Sequence, residues 1–487
     1  MKLLQDILYR TRLTEVHGST NAAVEYITMD SRKVKPMSLF VAIKGVATDG
    51  HAYITTAVKQ GAVAIICESL PKGLEEHVTY VVVPNSSHAL GIVASNFYDN
   101  PSDKLRVIAV TGTNGKTTTA TLLYRLFRKL KYKCGLISTV VNKIIDQEIP
   151  STHTTPDAVA LQSLLAQMVA QGCTYCFMEA SSHALHQERM AGMTLTAGIF
   201  TNITHDHLDY HGSFNEYIKA KKLLFDQLPK AAFALVNHDD RHCEVMVQNC
   251  KAKVKRYALQ SMADYRAKVI ENSFAGLHIT IDSQDLYTRL IGAFNAYNIL
   301  AVYATAIELG LDKIHVLTAI SELDAPDGRF QYIRTEKEVT AVIDYAHTPD
   351  ALQNVLDTIG EIRTGNEQVI TVVGCGGDRD KTKRPLMAQI AANASNRVIL
   401  TSDNPRSEDP EVILSEMKSG LDPSQLRKVI TLADRQEAIR LACEFAQSGD
   451  IILIAGKGHE KYQEINGVKK PFDDYEVAYD SLKMLGK

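Results

Sequence analysis

The residues best suited to chemistry lie in Thr111-Gly112-Thr113-Asn114-Gly115-Lys116-Thr117-Thr118. An apolar run at 106–110 precedes this stretch, and Leu123, Leu126, Phe127 and Leu130 follow it at helical i, i+3, i+4, i+7 spacing. Strand, glycine loop, Lys-Thr and helix together make a phosphate cradle. The glycines let backbone N–H groups close on oxygens, and the helix N-terminus favours an anion. Lys116 can reach terminal phosphates, and the Thr117 hydroxyl can ligate Mg²⁺. Gly112 and Gly115 stand closer together than in the usual P-loop, so the flanking strand and helix carry the nucleotide reading over an ordinary glycine turn.

Two more polar clusters end apolar runs in the central part of the chain: Glu179-Ala-Ser-Ser-His183 and Thr204-His-Asp-His-Leu-Asp-Tyr-His211. An acid and a histidine there could complete the coordination of an Mg²⁺ carried by nucleotide phosphates. The alternatives are solvated loop histidines or a zinc site; zinc is disfavoured because no three of these residues show a recognised ligand spacing. Four further polar loops, at 344–349, 374–381, 402–407 and 456–460, follow apolar runs towards the C-terminus. The glycines at 374–377 do not follow GxGxxG. Arg379, Asp380, Lys381, Lys383 and Arg384 suit an anionic or zwitterionic small molecule, or else form a solvated face. Near the N-terminus, Asp30-Ser31-Arg32 and the loop at 45–50 are candidate binding loops or plain turns. Asn295 reads as a helix cap on residues alone.

Such loops need a scaffold. Strands are predicted at 38–43, 62–67 and 80–84, with helices near 51–60 and 87–98, before a turn-rich boundary at 99–103. Further strands at 134–139, 175–180 and 197–203 alternate with helices such as 156–171, which implies a parallel sheet with ligands at its C-terminal edge. From 253 to 292 short alternating strands predict an antiparallel patch that closes this domain, and a helix follows to Leu309. The last strands fall at 339–343, 368–373, 397–401, 429–432 and 450–455. The expected fold is α/β in three domains: an N-terminal α/β unit at 1–103, a central P-loop parallel-sheet unit at 104–329, and a C-terminal doubly wound, Rossmann-like unit at 330–487.

Composition narrows the classes of partner. Among 487 residues, 45% are hydrophobic and 22% charged, with a formal net charge of −3. No basic excess points to nucleic acid, no polybasic tract to a membrane surface, and no apolar run spans a bilayer. Met1–Arg10 reads as an amphipathic helix start and not a signal peptide. The eight cysteines, including the lone Cys173-Thr-Tyr-Cys176, read as reduced buried thiols, so a cytoplasmic location is expected.

The order of Thr111–Thr118, Glu179–His183, Asp206-His-Leu-Asp-Tyr-His-Gly212, Asn295-x-x-Asn298, Asp327-Gly-Arg-Phe330 and Asp344-Tyr-Ala-His-Thr-Pro349 resembles the Mur ligases over essentially the whole chain. The resemblance implies three domains that bind, in order, a UDP-sugar, ATP and an incoming amino acid. It implies an ATP-dependent amide ligase of peptidoglycan precursor synthesis, adding the third residue to UDP-N-acetylmuramoyl-L-alanyl-D-glutamate. A substrate carboxylate would attack the γ-phosphate, and the incoming amine would attack the resulting acyl phosphate.

Carried over position by position, the resemblance implies ATP contacts at Gly112, Thr113, Asn114, Gly115, Lys116, Thr117, Thr118, Asn295, Arg329 and Asp344. Thr117 and Glu179 would hold one Mg²⁺, and His207 would help hold a second cation with Lys221, the lysine carbamylated to N6-carboxylysine. Lys116, Lys221, His207 and Arg329 would carry the catalysis. Sugar-peptide contacts fall on Ser31, Thr154, Thr155, Ser181, Gln187 and Arg189. Val46-Ala47-Thr48 stands at a uridine-contacting position with side chains unlike those of some relatives, and His153 replaces an asparagine. Asp403-Asn404-Pro405-Arg406 resembles the signature of relatives that add meso-diaminopimelate, with Arg379, Gly456 and Glu460 as the remaining contacts. Diaminopimelate ends in a carboxylate that Arg406 can pair, which lysine lacks. The rivals are a ligase for lysine or another diamine, a folate polyglutamate ligase, and a P-loop switch that hydrolyses ATP without an amino acid. A monomer acting on small molecules, with no nucleic-acid or membrane partner, is expected, with hinges near 104 and 330.

Overall fold

A computed structural model describes residues 1–45, 48–151 and 153–487. Its centre is an eleven-stranded sheet running, edge to edge, Gln147–Pro150, Val141–Ile144, Cys134–Ile137, Tyr175–Glu179, Arg106–Thr111, Ala197–Phe200, Phe233–Asn237, Lys253–Ala258, Tyr265–Ser273, Gly276–Ile281 and Gln284–Thr288. The strands from Cys134 to Tyr265 pair in parallel, and both outer hairpins are antiparallel. The five-residue apolar strands Tyr175–Glu179 and Phe233–Asn237 are buried along their whole length, because helices cover both faces. On one face Leu123, Leu126 and Phe127 of helix Lys116–Lys129 pack with Ile299 and Leu300 of helix Ala293–Glu308. On the other, Leu161 and Leu165 pack with Leu224 and Phe225.

A five-stranded sheet lies N-terminal to this one, in the order Glu15–His17, Thr79–Val82, Ala62–Cys67, Ser38–Val41 and Tyr26–Thr28. A six-stranded sheet lies C-terminal to it: Gln331–Arg334, Thr340–Asp344, Ile451–Ala455, Val369–Cys375, Arg397–Ser402 and Val429–Thr431. Only Gln331–Arg334 is antiparallel there, and helices lie on both faces, which is the doubly wound arrangement.

Several expectations need correction. The antiparallel patch expected at 253–292 begins only after Tyr265: Lys253–Ala258 pairs in parallel on both sides, and the antiparallel strands at 265–288 continue the central sheet from it. The N-terminal helix lasts one turn, Leu4–Ile7: Lys2–Leu3 before it pairs with Ala23–Val24, and Arg10 after it turns the chain at φ 62°. The hairpin Tyr462–Ile465/Val468–Pro471 has no counterpart in the strand pattern, although its Asn466-Gly467 turn, both residues at positive φ, is a hairpin signal. All eight cysteines are free, seven of them buried. Among the described residues no helix is long and apolar enough to cross a membrane.

Candidate active site

The glycine loop turns sharply between strand Arg106–Thr111 and helix Lys116–Lys129. Gly112 and Gly115 both have positive φ, and a Cβ on Gly112 would lie 1.9 Å from Thr201 Oγ1. Only glycine lets the backbone approach so closely. Lys116 Nζ donates to the carbonyls of Gly112 at 2.9 Å and Thr113 at 2.8 Å, so it lies along the rim of the cradle. Desolvation lowers its pKa, opposed by the charges of Glu179 and Asp206.

Glu179, fully buried at the end of strand Tyr175–Glu179, accepts the Thr117 hydroxyl at 2.9 Å on one oxygen and the Thr139 N–H at 2.7 Å on the other. A hydroxyl and a buried carboxylate form a hard oxygen donor pair that fits Mg²⁺. Arg329 Nη2 donates to the same Thr117 hydroxyl at 3.2 Å, and its guanidinium lies 4.8 Å from the Tyr345 ring centroid. Its Nε is buried with no hydrogen-bond partner among the described residues. Lys221, buried on helix Phe214–Asp226, donates to Gly112 O at 2.6 Å and lies 4.6 Å from the Tyr217 ring centroid. Desolvation, then the nearby Lys116, presses its pKa well down.

His207 takes a left-handed backbone at the mouth of this cleft, edge-on to His183 and 3.4 Å from Asp206. Desolvation lowers its pKa against the opposing Asp206 charge, which keeps the ring neutral and able to ligate a cation. Asp344 ends strand Thr340–Asp344 and accepts the Phe330 N–H at 2.7 Å; burial pushes its pKa up to about 6. The capping reading of Asn295 is corrected. Gly292 caps helix Ala293–Glu308, while Asn295 donates to Ile291 O at 2.7 Å and receives Asn298 Nδ2 at 2.9 Å.

Two cavities meet here. One, of about 600 Å³, is lined by the loop from Thr113 to Thr118 with Glu179, His207, Lys221, Asn295, Arg329 and Asp344. The other, of about 1100 Å³, joins Thr154, Thr155, Ser181 and Arg189 to Arg379, Asp403, Asn404, Arg406, Gly456 and Glu460. Arg189 donates to Thr155 O at 2.7 Å and to Gln187 Oε1, and Thr155 in turn receives the Ser181 N–H at 3.1 Å. Gln187 and Ser31 lie outside both linings; Ser31 opens a 3₁₀ turn capped by Asp30 in the N-terminal unit. Thr48 follows the undescribed pair, and Val46 and Ala47 lie outside the described residues.

The loops that carry Arg379 and Arg406 are held by backbone as well as side chains. Arg406, at φ 52°, donates its N–H to Glu464 O at 3.1 Å and its Nη1 to Gly377 O at 2.7 Å. Pro405 sits behind it, its carbonyl against Gly377. Arg379 reaches the cavity and bonds Asp378 O at 3.2 Å. Arg384 does not belong with it: it is fully buried and paired to Glu408 and Glu416, so its role is structural. Sequence gave no warning of Asp350, whose carboxylate accepts from Asn114 and Thr204, both at 3.0 Å, and so ties the C-terminal unit to the P-loop. Nor did it mark Arg435, a buried arginine paired with Asp474 that donates to the carbonyls of Ser402 and Ala455, the residues just before Asp403 and Gly456. Away from the cleft, His238, Cys243 and Glu244 lie close enough for a metal, but Arg256 spans both oxygens of Glu244 at 3.0 and 3.1 Å.

Family models for the Mur ligase family catalytic domain, the Mur ligase middle domain and the Mur ligase glutamate ligase domain match residues 23–98, 110–306 and 328–458. The chain belongs to the Mur ligase family. The UDP-N-acetylmuramoyl-L-alanyl-D-glutamate–2,6-diaminopimelate ligase of Cytophaga hutchinsonii is 54% identical over 99% of this chain and 100% of its own. The like-named protein of Phocaeicola vulgatus is 52% identical over 98% of this chain and 99% of its own. A solved structure of a UDP-N-acetylmuramoyl-L-alanyl-D-glutamate–2,6-diaminopimelate ligase superposes with a TM-score of 0.70 at 36% identity, covering 100% of this chain and 99% of that one. This Mur ligase thus shares the three-domain α/β architecture of its structural relatives.

Proposed function

We propose that this Mur ligase joins meso-diaminopimelate to UDP-N-acetylmuramoyl-L-alanyl-D-glutamate, consuming ATP and releasing ADP and phosphate, in peptidoglycan precursor synthesis. The observation that carries the reading is the 1100 Å³ cavity, which puts Thr155, Ser181 and Arg189 on the same space as Asn404, Arg406 and Glu460 and abuts the P-loop cleft. The names borne by full-length relatives at 50–54% identity support the choice of substrate.

The chemistry follows from placing two anions together. ATP would lie along Gly112–Thr118, with Asn295 and Asp344 towards the nucleoside end and Arg329 beside the transferred phosphate. The carboxylate of the D-glutamyl residue, held from the side of Arg189 and Ser181, would attack the γ-phosphate. Repulsion between these groups opposes the attack, and Lys116 and the orphaned donor of Arg329 would offset it. Thr117 and Glu179 would hold Mg²⁺, with His207 and a carbamylated Lys221 on a second cation; such ions neutralise phosphate charge. Arg406 would pair the distal carboxylate of diaminopimelate, and Asn404 and Glu460 its ammonium, presenting the other amine to the acyl phosphate. Small substrates in one chain's clefts are compatible with a cytoplasmic monomer.

The test is phosphate release with ATP, Mg²⁺ and the UDP-sugar dipeptide, supplied with meso-diaminopimelate, L-lysine or neither. Release that requires diaminopimelate, and that Lys116→Ala abolishes, is expected. Preference for lysine would overturn the use made of Arg406, and release without any amino acid would favour a nucleotide switch.

A further inference from the structure

Lys457 follows strand Ile451–Ala455 and is fully buried. Its ammonium donates to Asn404 Oδ1 and to Glu460 Oε2, each at 3.0 Å, and lies 3.8 Å from Asp403 Oδ1. Asn404 Nδ2 donates to the same Glu460 oxygen at 2.7 Å. The hairpin closes the ring: Glu464 N–H reaches Asn404 Oδ1 at 2.9 Å, and Gln463 Nε2 reaches Asp403 O at 2.8 Å. Three side chains that line the large cavity therefore share one cation that does not line it.

A hydrogen-bonding role alone would be met by a neutral donor, without the cost of burying a charge. What a lysine adds is charge. Asp403 and Glu460 contribute two negative charges to this end of the cavity, and Lys457 cancels one. The competing amino acids differ in the same quantity: diaminopimelate carries two ammonium and two carboxylate groups, whereas lysine carries one carboxylate fewer. We propose that Lys457 is a positioning residue that sets selection for an amino acid with a zwitterionic far end over a plain cationic diamine. Removing its charge strengthens the pull on lysine's ammonium and repels the second carboxylate of diaminopimelate. This rests on the amino-acid-binding reading of the cavity given above.

The experiment compares kcat/KM for meso-diaminopimelate and L-lysine, by phosphate release, in the wild type, Lys457→Met and Lys457→Arg. One uncompensated charge in a partly desolvated site moves the ratio of the two by roughly tenfold or more towards lysine in Lys457→Met. KM for ATP stays put, and Lys457→Arg restores most of the ratio. A loss that falls equally on both amino acids would show a structural residue only and overturn the proposal. A wild type that needs no amino acid would instead overturn the functional reading beneath it. Should Lys457→Met not fold, Glu460→Gln decides, because it takes one negative charge from this end of the cavity and leaves Lys457 balanced by Asp403, which must move the ratio towards diaminopimelate; movement towards lysine refutes the idea.

Discussion

Lys221 offers the sharpest test of the chemistry. Its amine is buried, 2.6 Å from the Gly112 carbonyl, and feels the charge of Lys116, which the negative charge of Asp206 opposes. A desolvated ammonium beside another cation gives up its proton readily, and a neutral amine is the form that adds CO₂. Carbamylation would convert a repelled cation into a carboxylate-like ligand facing the phosphate cleft, without moving the helix Phe214–Asp226 that carries it. Replacing Lys221 with alanine removes that charge from a preorganised, desolvated site. Loss of one such group costs about 3–4 kcal/mol, so kcat falls by roughly 10²–10³-fold. Acetate or propionate, small enough for the vacated space, is expected to recover several-fold of the lost rate. The assay is phosphate release by Lys221→Ala with and without these acids, alongside carbon-13 NMR of the wild type in labelled bicarbonate. Wild-type turnover in Lys221→Ala would refute any catalytic role. Lost turnover with neither rescue nor a labelled carbamate would refute the carbamate and leave a bare lysine.

Three other outcomes follow from the geometry. Gly112→Ala forces a Cβ to 1.9 Å from Thr201 Oγ1 at a positive φ, so nucleotide binding by calorimetry is expected to vanish while circular dichroism keeps its α/β signature. Asp344, pushed up to about 6 by burial, holds its proton in the folded state to a higher pH than in the unfolded chain. Its stabilising protonation is complete below about pH 4 and lost as pH rises through about 6, so Asp344→Asn is expected to gain up to about 3 kcal/mol in urea unfolding at pH 7.5 and little at pH 4. An equal gain at both pH values would contradict that origin. Arg406→Lys keeps the charge but loses the planar fork, and KM for diaminopimelate is expected to rise about tenfold or more while KM for ATP does not change.

How much of this was legible in the sequence depends on range along the chain. The P-loop was readable because strand Arg106–Thr111, glycines and helix Lys116–Lys129 are consecutive, and each element's pattern is local. Polar loops at strand ends were readable for the same reason, since a parallel sheet sends every such loop to one edge. The Asn466-Gly467 hairpin was there to be read and belongs to the same local class. By contrast, Arg384 looked like a ligand-binding cation in a charged run, and only the approach of Glu408 and Glu416 makes it structural.

Sequence alone therefore determined the fold class, the strand, glycine loop and helix at 106–129, and the family motifs, because these rest on residue type at short spacing. Tertiary structure decided the rest. Asp350 meets Asn114 across 236 residues, Arg329 meets Thr117 across 212, and Lys457 joins Asn404 across 53. Which distant groups share a buried charge is fixed by strand order and domain packing, where desolvation makes each pairing strong and specific, and no local spacing encodes that order.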